Sequence, residues 1–271
     1  AALKAQADRI TLTSRAFHND QLGPLLLKLN KISGFDMALP MNTGAEAIET
    51  GVKAVRKWAY DKKGVSPGKA EIITASGNFH GRTTTIVGFS SEDQYQDGFG
   101  PFSPGFVSIP FGDAEALEAS ITENTAAFLV EPIQAEGGII MPPEGYFQRV
   151  REICTERNVL LFLDEIQTGL GRTGRMFAHQ HQGIRPDCLA LGKALGGGVY
   201  PVSAFLAGSE IMSVFCPGDH GSTFGGNPLG AAVAMAALDV VVEEELAEKA
   251  DDLGTWLMEE LREMGSKHVA E

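Results

Sequence analysis

The 271-residue sequence is poor in cysteine, tryptophan and positive charge, and it has no long apolar run. Its three cysteines, Cys154, Cys188 and Cys216, lie far apart and form no CxxC pair. That excludes a dense disulfide framework and argues for free thiols in a reducing compartment rather than zinc ligands. The longest apolar stretches, Ala126–Val130 and Val159–Leu163, are strand-sized. A spanning helix needs about 18 apolar residues, so no membrane segment is expected. Twenty-two Lys and Arg against 35 Asp and Glu leave a net charge of −13, which makes nucleic acid and anionic membrane poor partners. The opening residues hold neither a signal peptide nor an Arg-rich transit segment. A cytoplasmic protein is therefore expected, with the mitochondrial matrix open if a leader precedes Ala1. Because no initiator methionine starts the chain and no closing element follows Gly265, a piece of a longer protein is expected.

What is present suits one large globular domain or two smaller ones: 44% of residues are hydrophobic and 21% charged. Strand-like runs occur at Glu71–Ala75, Phe106–Ile109, Ala126–Val130, Val159–Leu163, Cys188–Leu191 and Val202–Leu206. Helical patterns fall between and around them, at Ala45–Tyr60, Asp113–Ser120, Gly145–Arg157 and Asn227–Met264, the last expected to break near Glu243. Strands apolar throughout and separated by helices predict an α/β fold, with a mostly parallel central sheet flanked by helices. The Pro- and Gly-rich stretch 98–110 reads as a long ordered loop.

Several motifs carry possible chemistry. Thr43 and Gly44 open the first long helical pattern, where free N–H groups attract a phosphate; Glu46, three residues on, fits an ordinary capping box equally well. Phe79 and Arg82 follow a strand and could stack on a ring and bind a carboxylate, or could be a core aromatic and a surface ion pair. Glu131 and Glu136 follow the strand ending at Val130, at the edge where open sheets bind ligands, and could instead be solvated. Gly169-Leu170-Gly171-Arg172-Thr173-Gly174 matches G-x-G-x-x-G, but no strand precedes it directly and no apolar helix follows. A nicotinamide site there is treated as chance. His179-x-His181 has metal-like spacing without a third ligand, so no metal is expected. Ser222 and Thr223 lie in a glycine-rich turn that suits a phosphate or simply a turn.

The sharpest signal is a pair. Asp164 closes the apolar run Val159–Leu163, and Lys193 follows among Gly192 and Gly196–Gly198. Pyridoxal phosphate needs a lysine for a Schiff base and a carboxylate to keep its pyridine nitrogen protonated, which makes the ring an electron sink.

In this order Asn42-Thr43-Gly44-Ala45-Glu46-Ala47, Phe79-His80-Gly81-Arg82-Thr83, Glu131-Pro132-Ile133-Gln134, Asp164-Glu165-Ile166-Gln167-Thr168-Gly169, Gly192-Lys193-Ala194-Leu195 and Gly221-Ser222-Thr223 resemble the class III, ornithine-type aminotransferases across nearly the whole chain. The resemblance implies the large domain of a fold type I pyridoxal phosphate transferase. A helical lead-in at 1–40, a cofactor-binding domain at 41–240 and a helical connection at 241–271 are expected, leading towards a small domain that lies beyond the chain. It also implies roles: Lys193 as Schiff-base lysine and proton shuttle, Asp164 on the pyridine nitrogen, Gln167 on the ring's phenolic oxygen and Phe79 against the ring. Thr43, Gly44 and Ala45 would hold the phosphate, joined by Ser222 and Thr223 across a homodimer interface. Arg82 would take the substrate's distal carboxylate, and Glu136 would hold a second arginine of the small domain. The implied reaction moves the δ-amino group of ornithine to 2-oxoglutarate; N-acetylornithine and 4-aminobutyrate are the competing donors. A dehydrogenase using the Gly169–Gly174 loop, or a non-catalytic fragment, are the rivals from other classes.

Overall fold

The computed structural model describes residues 1–14 and 17–266; the tail of the expected helical connection, 267–271, lies outside them. Seven strands form one sheet: β1 (Met37–Met41), β2 (Glu71–Ala75), β3 (Phe106–Ile109), β4 (Thr125–Val130), β5 (Leu160–Asp164), β6 (Cys188–Leu191) and β7 (Ser203–Ala207). Across the sheet the order is β1-β7-β6-β5-β4-β2-β3. Strands β2 to β6 run parallel, and β7 is antiparallel to both β6 and β1. The helices are α1 (Ala2–Ala7), α2 (Leu22–Ser33), α3 (Gly44–Trp58), α4 (Thr84–Val87), α5 (Asp93–Gln96), α6 (Ala114–Ser120), α7 (Tyr146–Glu156), α8 (Ser209–Met212), α9 (Pro228–Glu243) and α10 (Leu246–Glu263). No helix among the described residues is long and apolar enough to cross a membrane.

The sheet splits the core in two, because successive side chains of a strand point to opposite faces. On one face Ile72, Ala127, Leu129, Phe162 and Phe205 pack under Ile48, Val52 and Val55 of α3. On the other, Ile73, Phe128, Leu161, Leu163 and Leu189 meet Leu29 of α2, Val150 of α7 and Leu238 of α9. Both faces are covered, so β4 and β5 are buried at every position and their apolar runs show no alternation.

Helix α3 begins where local chemistry dictates. The Thr43 hydroxyl accepts the Glu46 N–H and the Glu46 carboxylate accepts the Thr43 N–H, while Arg56 and Lys57 in the last turn favour the negative end of the dipole. The expected break in the long C-terminal pattern falls between α9 and α10, where Glu245 is left-handed. Strand β1 was not expected from the sequence, because Pro40 interrupts its short run. Proline is tolerated there since β1 is an edge strand with one neighbour. The boundary expected at residue 40 falls inside this strand. At the other side of β7, Leu191 pairs with Ala204, so the excursion 192–202 leaves and re-enters the sheet at the same end.

Gly51, in the middle of α3, is where helix and sheet come closest. A Cβ there would lie 2.2 Å from two ring carbons of Phe162. Gly51→Ala should therefore lower stability in urea denaturation by about 1–3 kcal/mol, the usual cost of overpacking. Combining it with Phe162→Leu should restore part of that loss. Strict additivity of the two substitutions would mean that the ring contact is not the cause.

Candidate active site

The C-terminal ends of β2, β4, β5 and β6 meet around Asp164, at the edge of the sheet where parallel strands present ligands. Asp164 ends β5 and is 5% exposed. Its Oδ1 accepts the backbone N–H of Ile166 at 3.0 Å, and its Oδ2 is 2.7 Å from Nδ1 of His80, whose side chain is fully buried. The loop bearing His80 is anchored in turn to the end of β4, because the Phe79 N–H donates to Glu131 Oε2 at 3.1 Å. Lys193 begins the short 3-10 helix Lys193–Gly196 that follows β6. Its φ of +38° is in the left-handed region, a conformation that costs a non-glycine residue on the order of 1–3 kcal/mol and is held only by its surroundings. Ile166 fills the space between α3 and this segment: a Cβ on Gly44 or on Gly192 would come within 3.1 Å of its side chain.

Two groups here are electrostatically displaced. Burial pushes the Glu131 carboxyl up to about 7; Asp164 adds to the rise, while His80, the Phe79 N–H and Lys193 oppose it. Burial alone would lower His80, but the hydrogen bond and charge of Asp164, helped by Glu131, raise it overall. His80 thus sits between two acidic groups that both favour its charged form.

One cavity of about 210 Å³ brings together Gly44, Ala45, Phe79, Glu136, Asp164, Gln167 and Lys193 of the sequence-predicted set. Gln167 Nε2 reaches Glu136 Oε1 at 3.3 Å. Thr43 caps α3 and does not line this cavity. Arg82 lies outside the lining, its guanidinium 4.5 Å above the ring of Tyr95 and 5.5 Å above that of Phe79, with no ion pair among the described residues. Ser222 and Thr223 are elsewhere: Ser222 bonds Asn42, and Thr223 borders a separate cavity with Leu22 and Asn227. Sequence reasoning assigned no role to His80, Ile166, Thr168 or Tyr95. The first three fall within the motifs, but only the folded contacts single them out.

The rejected motifs also find their places. His179 Nδ1 and N–H both meet the buried carboxylate of Glu165, and no metal-binding cluster exists among the described residues. Gly171 and Gly174 pack against Ala247 and Asp251 of α10 rather than opening a helix.

The chemistry of the cleft suits pyridoxal phosphate. A lysine amine for the aldehyde and a buried carboxylate for the pyridine nitrogen line one cavity, with Phe79 for the ring. At the start of α3 the capping box occupies the Glu46 N–H, and the first-turn N–H groups of Gly44 and Ala45 have no intrahelical acceptor to use. Two buried polar atoms of cavity-lining residues, His80 Nε2 and Thr168 Oγ1, also lack a protein partner.

Residues 1–271 match the family described as aminotransferase class III. The chain is 58% identical over 270 residues to an ornithine aminotransferase of Brevibacillus brevis, covering all of this chain and 68% of that protein. An ornithine aminotransferase of Toxoplasma gondii, solved with pyridoxal phosphate at partial occupancy in its active site, superposes with a TM-score of 0.95. It is 49% identical, over 97% of this chain and 62% of that one. An acetylornithine aminotransferase of Elizabethkingia anophelis gives a TM-score of 0.85 at 48% identity, over 97% of this chain and 63% of that one. The chain thus spans under two thirds of these solved relatives.

Glu131 generates a prediction on stability. Its folded value near 7 lies above its ordinary 4.5, so folding favours the protonated acid. That contribution is complete below pH about 4.5 and disappears as pH rises through 7, on the order of 1.4 kcal/mol for each pH unit separating the two values. Glu131→Gln, a permanent neutral mimic, should gain stability relative to the wild type across this window. Parallel pH profiles of the urea midpoint for the two proteins would contradict the assignment.

Proposed function

The chain belongs to the class III aminotransferases, and from that premise we propose that it is the large, cofactor-binding part of an ornithine δ-aminotransferase. The reaction moves the δ-amino group of ornithine to 2-oxoglutarate, giving glutamate 5-semialdehyde and glutamate. The convergence of Asp164, Lys193 and the start of α3 on one cavity carries this reading. When bound, pyridoxal phosphate supplies a ring that takes up the electron pair released when the carbon beside the amine loses its proton. Lys193 Nζ would hold the cofactor, accept that proton and return it. Asp164 would keep the pyridine nitrogen protonated, and its own orientation is fixed by Ile166 and His80. Phe79 would stack on the ring, Gln167 would donate to the phenolic oxygen, and Thr43, Gly44 and Ala45 would receive the phosphate.

Substrate selection rests on Arg82 and Glu136. The Arg82 guanidinium rests against the Tyr95 and Phe79 rings, which leaves its donors free of an ion pair among the described residues and available to a distal carboxylate. Glu136, exposed at the rim, would hold a second arginine supplied from outside this chain. Ser222 and Thr223, away from their own cavity, would reach the phosphate of a second copy in a two-fold dimer. We place the enzyme in the cytoplasm, in keeping with its bacterial relatives.

The likeness to an acetylornithine enzyme keeps one competing reading in view. Half-reactions with ornithine, N-acetylornithine and 4-aminobutyrate, followed by absorbance, should show turnover of the cofactor form fastest with ornithine. A clear preference for N-acetylornithine would replace the proposal. Borohydride reduction and peptide mapping should put the pyridoxyl group on Lys193, and an adduct on another lysine would sink that assignment. Asp164→Asn should bind the cofactor yet slow proton removal by orders of magnitude, as loss of a strong preorganised charge does. Near-normal rates in Asp164→Asn would refute its role.

A further inference from the structure

Ser222 is a hydroxyl whose proton has been given a direction. Its Oγ is 2.9 Å from Asn42 Nδ2 and accepts the Gly225 N–H at 3.0 Å. A serine oxygen has two lone pairs and one proton. With both lone pairs engaged by donors, the proton can only be offered to a third group.

The sense of the Asn42 bond follows from chemistry. The same Asn42 amide group faces Glu46, whose Oε1 is 3.2 Å from Nδ2. Glu46 Oε2 accepts the N–H groups of Asn42 at 3.0 Å and Thr43 at 2.7 Å. Burial would raise this carboxyl, but the donors from Thr43 and Asn42 outweigh it and hold the group below its ordinary range. An ionised carboxylate only accepts, so the amide must turn its NH2 towards Glu46, and the second N–H of that group then points at Ser222. Reversing the amide would set oxygen against oxygen.

We propose that Asn42 is a positioning residue that fixes the Ser222 hydroxyl as an outward donor to the cofactor phosphate of the neighbouring subunit. This rests on the reading that Ser222 serves that phosphate. Asn42 lies immediately before Thr43, at the start of the helix whose Gly44 and Ala45 line its own subunit's cavity. One amide therefore joins the phosphate end of one site to the loop that completes the other.

The test compares pyridoxal phosphate with pyridoxal, which lacks the phosphate, by equilibrium titration of cofactor-depleted protein. Wild type, Asn42→Ala, Ser222→Ala and the double variant are measured, with dimer formation checked by sedimentation. Ser222→Ala should weaken pyridoxal phosphate about tenfold, the order expected for a hydrogen bond to a charged group, and leave pyridoxal unchanged. Asn42→Ala should weaken pyridoxal phosphate severalfold, spare pyridoxal, and add nothing in the Ser222→Ala background. Equal losses for both ligands, or additive losses, would overturn the positioning role. Unchanged selectivity in Ser222→Ala would instead overturn the reading of Ser222 beneath it. Asn42→Asp is a second probe: a carboxylate there accepts the Ser222 proton and draws it inward. It should cost more phosphate selectivity than Asn42→Ala, and a smaller loss would count against the proposal.

Discussion

The buried contact between His80 and Asp164 is the constraint on which the site depends. A carboxylate at the end of a fully apolar strand is costly to desolvate unless it is paired and hydrogen-bonded. Here the partner comes from the loop after β2, two strands away across β4. Satisfying Asp164 therefore requires β2, β4 and β5 to keep their register and the 78–82 loop to fold back over the sheet edge. That same loop carries Phe79 and Arg82. The pairing of one carboxylate thus helps place Phe79 and Arg82, together with the Phe79 N–H bond to Glu131 and the Tyr95 ring against the guanidinium.

Charge is balanced tightly in this corner. Burial would lower His80 but Asp164 raises it overall, and Glu131, next in line, is pushed up to about 7 by burial and by the charge of Asp164. The outcome is a buried histidine–carboxylate contact beside one carboxyl poised near neutral pH. Lys193 stands across the cavity with a strained backbone, supported by the packing of Ile166 between two glycines. A strained lysine and two unpartnered buried polar atoms, His80 Nε2 and Thr168 Oγ1, thus line one small cavity, a combination common at functional sites.

Much of this was legible in the sequence, and the reasons differ by element. Strands β4, β5 and β6 read directly because burial on both faces writes itself as an unbroken apolar run. The start of α3 read directly because Thr43 and Glu46 are three residues apart, a purely local signal. Asp164 and Lys193 stood out because the residues around them make little sense as surface loops. The His80–Asp164 contact did not, since 84 residues separate its members and only sheet order brings them together. Strand β1 was hidden by Pro40, whose compatibility with a strand depends on having one neighbour rather than two. Tyr95 lies on a single-turn helix without periodicity, so nothing local predicted that Arg82 would rest on it.

The antiparallel return of β7 beside β6 has an effect on how such a protein changes over time. Because residues 192–202 depart from and rejoin the sheet at the same edge, the segment carrying Lys193 is a closed detour rather than a crossover. The detour is nevertheless pinned to the layers below it: Leu195 and Val202 are buried in the core, and a Cβ on Gly197 would meet Ala237 of α9 at 3.3 Å, which leaves Gly198 and Val199 as its exposed turn. An insertion at Gly198 or Val199 would leave every strand threaded as it is, whereas one nearer Lys193 would displace core side chains. The lysine's backbone is thus held by the same packing that closes the hydrophobic layer beneath it.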